Sequence, residues 1–156
     1  MFRAPLPAVR LAPALLVAVL AAPAAGQYQA AQTCKFLTPA EAAAVIGADA
    51  KLQSALEDGA CVYVRGALTL TVQQPFTYSD RKIVVQSYEA MEKSKGGTPL
   101  PDLGDRAYLA KGNSGWSVGI LAGDTLIGLE LYGEGADGPE MAKQLETAAR
   151  RVASRL

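Results

Sequence analysis

The chain contains no histidine, and that absence excludes more chemistry than any one residue present suggests. Ser-His-Asp and Cys-His nucleophile systems need an imidazole to take the proton, and histidine is also the commonest general base. Zinc is disfavoured on the same ground, because the thiols of Cys34 and Cys61 alone do not complete a usual ligand set. Charge of either sign is not in excess: 15 basic and 15 acidic residues leave a formal net charge of zero. The nearest things to a basic patch, Arg81-Lys82 and Arg150-Arg151, are isolated pairs, so nucleic acid is not an expected partner. Aromatic residues are few and Trp116 is the single tryptophan. Past the first 26 residues no apolar run is long enough to cross a bilayer.

What is present begins with an export signal. Arg3 and Arg10 form a positive n-region, residues 11–20 an apolar h-region, and Ala22-Pro23-Ala24 or Ala24-Ala25-Gly26 a small-residue cleavage site. A transmembrane anchor is the alternative, but the run falls short of the ~20 residues a bilayer needs and is interrupted or bounded by Pro13 and Pro23. Residues 1–26 are therefore read as a signal peptide, 27–33 as a flexible lead and 34–156 as one domain, exported to a periplasmic or extracellular compartment. Oxidising conditions there predict a disulfide between Cys34 and Cys61. Lipidation of Cys34 is the competing reading, and Ala31-Gln32-Thr33 lacks the aliphatic residue that should precede a lipid-attachment cysteine.

The domain reads as α+β, with about five antiparallel strands backed by three helices in the order α-ββ-α-βββ-α. Thr38-Pro39-Ala40-Glu41 is a capping box with proline at the first helical position, and Gly47 is placed to end that helix in a left-handed conformation. Residues 48–60 are a loop or a short irregular strand. Cys61 to Arg65 and then Ala67 to Gln73 read as a hairpin around Gly66, the second strand alternating Leu68, Leu70 and Val72 with Ala67, Thr69, Thr71 and Gln73. Residues 80–95 form a helix, capped by Ser79, with Val84, Tyr88 and Met91 on one stripe and Gly96-Gly97 as the stop. Thr98-Pro99-Leu100-Pro101-Asp102 is a stiff linker whose prolines exclude helix and central strand.

Residues 103–132 are a three-stranded meander around which the remainder packs, with reversals at 111–115 and 122–124. Alternation sends Trp116, Val118, Ile120, Ile127, Leu129 and Leu131 to an inner face. Pro139 opens the last helix, whose stripe of Met141, Leu145, Ala148 and Val152 covers the sheet.

Four of these segments carry a resemblance. The run Cys34-Lys35-Phe36-Leu37-Thr38-Pro39-Ala40-Glu41, then Val45-Ile46-Gly47, Cys61-Val62-Tyr63 and Leu103-Gly104-Asp105-Arg106-Ala107 resemble the disulfide-bearing exported domains of unknown function of bacterial envelopes. Many of those are lipoproteins, and their layout is similar to the PsbP-like α/β fold, an antiparallel sheet backed by helices. The chain departs from the lipoprotein members in having no lipid-attachment cysteine. The resemblance implies no catalytic residue.

Motifs that hint at chemistry have simpler structural readings. Ser79-Asp80-Arg81-Lys82 has Ser-x-x-Lys spacing, but no Lys-Thr-Gly follows and serine is placed as a helix cap. The 111–115 segment lacks Walker spacing, and Asp102 and Asp105 lack the pattern of a calcium loop. Glu89 and Glu92 lie on the exposed side of their helix, and Trp116 is in phase with the core. No catalytic, metal or cofactor site is read.

One surface is left. With all three helices on the apolar side, the other sheet face displays Thr69, Thr71, Gln73, Tyr108, Ser117, Gly119, Gly128, Glu130 and Tyr132. Tyr108, Ser117, Glu130 and Tyr132 are the candidate interaction face, a shallow groove of small residues between tyrosines. The expectation is a non-enzymatic exported binding or interaction module whose partner is a protein or a small envelope ligand. Two alternatives are an accessory or structural subunit of an envelope complex and a small histidine-independent hydrolase.

Overall fold

The computed structural model describes residues 33–55 and 59–156, so the signal reading over 1–26 and the lead over 27–32 lie outside the described residues. Thr33, placed in the flexible lead by sequence, is buried, and its carbonyl accepts from Phe36 N at 3.1 Å.

The elements are α1 (Pro39–Ile46), β1 (Lys51–Ala55), β2 (Cys61–Arg65), β3 (Leu68–Val72), β4 (Phe76–Thr77), α2 (Arg81–Lys95), β5 (Thr98–Pro99), β6 (Arg106–Gly112), β7 (Gly115–Ala122), β8 (Thr125–Gly133) and α3 (Pro139–Ala153). Among the described residues they form one antiparallel sheet of eight strands in the order β1-β2-β3-β8-β7-β6-β5, with β4 also on β8. The expectation of about five strands is corrected, and the order gains three members. β1 is the strand alternative of the two readings for 48–60, and a register shift interrupts it between Leu52 and Ser54. β4 and β5 are two residues each, too short for any periodicity to show. Pro99 sits at the sheet edge, where its missing N–H costs no ladder bond.

Local sequence explains the boundaries. Thr38 Oγ1 accepts from Glu41 N at 3.3 Å while Glu41 Oε2 accepts from Thr38 N at 2.8 Å, the reciprocal capping box. Gly47 ends α1 with φ 109° and ψ 160°, a glycine conformation other than the left-handed helical one expected. Asp80 rather than Ser79 caps α2, its Oδ1 accepting from Lys82 N at 2.8 Å. Both residue types suit a cap, so adjacent ones left the choice to the fold. Gly96 then closes α2 at φ 63°, ψ 41°.

The sheet separates two cores. On one face α1 and α3 pack Val45, Ile46, Leu145, Ala148, Ala149 and Val152 against Leu70, Val72, Val118, Ile120, Ile127, Leu129 and Leu131. The inner-face residues read from alternation are therefore grouped correctly, with Trp116 packed half-buried at their margin. Its indole Nε1 donates to Gly138 O at 3.1 Å, just before α3. Cys34 and Cys61 are joined, Cα to Cα 5.2 Å, and tie the entry of the domain to β2 beside α1.

The second core overturns the placement of all three helices on one side. α2 lies on the opposite face, where Val84 and Tyr88 pack with Tyr108, Ala110, Leu121 and Leu126. The architecture is three-layered over this part of the sheet, because Leu121 and Leu126 put apolar area on the outer face that must be covered.

Candidate functional site

The outer face is built from cross-strand rows. Ser117 of β7 stands opposite Glu130 of β8, which stands opposite Thr71 of β3; one row along, Gly115, Tyr132 and Thr69 align. α2 reaches this surface with its C-terminal end. Lys95 Nζ donates to Glu130 Oε1 at 2.7 Å, with both side chains about one-third exposed.

The four candidate residues part company here. Ser117, Glu130 and Tyr132 come together around one open recess of about 240 Å³, completed by Lys95, Gly112, Ser114, Gly115, Trp116 and Leu131. Lys95, Gly112 and Ser117 also line an adjoining depression of about 340 Å³. Tyr132 is 44% exposed. Tyr108 belongs elsewhere: it is 1% exposed, beneath α2. Its ring packs 5.6 Å from that of Tyr88, at an interplanar angle of 58°. Its removal from the proposed face follows directly from the position of α2.

The glycines of the expected groove are explained by the same packing. A Cβ on Gly119 would stand 2.4 Å from Tyr108 Cε1, and one on Gly97 would stand 2.7 Å from its Cδ2. A Cβ on Gly128 would meet Gln73 Oε1 at 2.3 Å. These positions are empty so that side chains can lie across them, not to leave a cleft. Gly115 differs, because its Cβ would fall 1.9 Å from the Leu131 carbonyl oxygen. Close approach of backbone to β8 is what keeps the recess floor bare.

Electrostatics outside the recess is chiefly structural. Arg106 Nη1 and Nη2 donate to Glu89 Oε1 at 2.7 Å and Glu92 Oε2 at 3.2 Å, so the two acids read as merely exposed hold β6 to α2. The Arg106 guanidinium also lies 4.8 Å from the Tyr88 ring centroid. Burial pushes the Tyr88 hydroxyl up to about 12, with the Glu92 charge adding to it, and burial likewise raises Tyr108, assisted by Glu130 and Glu92. Asp105 accepts from Gly123 N at 2.8 Å and Arg81 Nη2 at 3.1 Å, which hold its carboxyl below the usual range. That makes Asp105 a brace between α2 and the β7–β8 turn.

Sequence reasoning did not single out Lys95, the last residue of its helix. Its position in the last turn was visible, but its reach to β8 depends on which face α2 covers. No group of three or more histidine, cysteine, aspartate or glutamate side chains among the described residues is placed to hold a metal. No helix among the described residues is long and apolar enough to cross a membrane. Comparison of the chain with protein-family models, with curated proteins and with solved structures finds no match to any of them.

Proposed function

We infer that the protein is an exported, non-enzymatic binding module whose working surface is the outer sheet face around Ser117, Glu130 and Tyr132. The observation that carries this reading is the meeting of these three residues with Lys95 at one recess, beyond the end of the helix that covers the remainder of that region. An exposed aromatic ring beside an ion pair and a hydroxyl combines apolar area with a few directed polar groups, the usual composition of a recognition site. The Cys34–Cys61 disulfide supports an oxidising compartment. Within the recess Lys95 already donates to Glu130, which argues against its serving as the free base that a hydrolytic Ser117 would need.

The test is in-cell crosslinking and affinity capture of the oxidised protein, with wild type compared to Tyr132→Ser. The expected result is a captured species that the variant loses while its circular dichroism and melting curve are unchanged. An identical capture set from a folded variant would refute the surface. Stoichiometric co-purification through a different face would instead favour an accessory subunit of an envelope complex.

A further inference from the structure

We propose that the recess binds a neutral saccharide, one pyranose ring stacked on Tyr132 with its hydroxyls on Lys95 and Glu130. This rests on the reading of that face as a binding surface and names the chemistry it would take. Lys95 Nζ and Glu130 Oε1 are 2.7 Å apart, so the pair offers a ligand no net charge. A simple cation or anion would have to break one ion pair to form another and would gain little. Each partner nevertheless keeps unused capacity: the ammonium has further protons to donate, and the carboxylate has further lone pairs. A hydroxyl donates and accepts, so adjacent ring hydroxyls satisfy both partners without separating them.

The remaining walls suit the same ligand. Tyr132 is 44% exposed as a residue, and an aromatic ring is a flat apolar surface against which the C–H face of a sugar can lie. Gly112 and Gly115 leave backbone uncovered, and Ser114 and Ser117 are small. At about 240 Å³ the recess is a shallow, single-unit site, and the adjoining depression past Lys95 and Ser117 leaves room for a second unit.

The chain carries one tryptophan, Trp116, whose backbone lies between Gly115 and Ser117 of the recess while its indole packs on the inner face against Gly138. Full-length oxidised protein is titrated with glucose, galactose, N-acetylglucosamine and chitobiose, with lysine and glutamate as charged controls. Tryptophan emission and saturation-transfer NMR of the sugar are both read. The expected result is a saturable response to at least one saccharide, none to the amino acids, and affinity weakened about tenfold or more in Tyr132→Ala. Glu130→Gln and Lys95→Met should each weaken binding too, which guards against a variant that fails to fold. Absence of any saccharide response by both readouts in folded protein, or equal binding by Tyr132→Ala, overturns the proposal. If crosslinked capture still finds a partner that Tyr132→Ser loses, only the saccharide assignment falls; if both experiments are blank, the binding surface falls with it.

Discussion

The ring of Tyr108 lies against Gly119 on the neighbouring strand so closely that a methyl group there would sit 2.4 Å from Cε1. With Gly97 on another side and Tyr88 above, the ring is the centre of the small core under α2. It cannot yield into open space.

Gly119→Ala should therefore destabilise the protein by about 1–3 kcal/mol, more than offsetting the gain of about 0.5–1 kcal/mol that alanine normally brings to a strand interior. Gly123→Asn is the comparison. That glycine has φ 60°, and among the described residues other than itself and its two chain neighbours no atom lies within 4 Å of the point a Cβ would occupy. Asparagine tolerates the conformation, so the change should stay below about 0.5 kcal/mol. Urea denaturation of the two variants checks both.

Acid should weaken the clamp between the last residues and α1. Arg155 Nη2 and Nη1 donate to Glu41 Oε1 and Oε2 at 2.6 and 2.7 Å, and Nη1 also donates to Phe36 O at 2.7 Å. The Arg155 hydrogen bonds and those from Thr38 outweigh desolvation and lower the Glu41 carboxyl from 4.5 to about 2. Because the folded value lies below the unfolded one, the contribution is complete above about 4.5 and fades as pH falls toward 2. Arg155→Met should cost about 1 kcal/mol at pH 7, given the partial exposure of the pair. Its deficit relative to wild type should shrink between pH 5 and pH 2.5 in chemical denaturation series.

Cys34 and Cys61 enclose a loop with a sequence separation of 27. The Cys34→Ser, Cys61→Ser double variant should lose roughly 3 kcal/mol by the loop-entropy argument. Tyr63 Oη still donates to the Leu37 carbonyl, and the Arg155 clamp still holds Phe36, so the entry segment should stay docked at neutral pH. A melting temperature lowered with unchanged near-ultraviolet circular dichroism is the expected signature. Two alkylatable thiols in freshly purified, unreduced wild-type protein would contradict the bond itself.

Much of the fold was legible because its signals are local. The capping box at Thr38 and Glu41, the glycine stop at Gly96 and the proline start at Pro139 each depend on residues a turn apart. β4 and β5 left no such trace, since each owes its pairing to β8 or β6 rather than to its own pattern. Of the candidate face, Ser117, Glu130 and Tyr132 follow from alternation and pairing, which place residues on a side without regard to what covers it. Tyr108 shared their side by the same rule and is buried.

By itself the sequence determined which side chains share each face of the sheet, since the two-residue period of a strand and the turns that set register are properties of the local chain. Only the tertiary structure decided which face each helix covers. The stripe of Val84, Tyr88 and Met91 can lie on either side of a sheet; Leu121 and Leu126 drew it to the outer one because their apolar area is removed from water only there. That choice buried Tyr108, carried Lys95 to Glu130 and left the recess at the helix end.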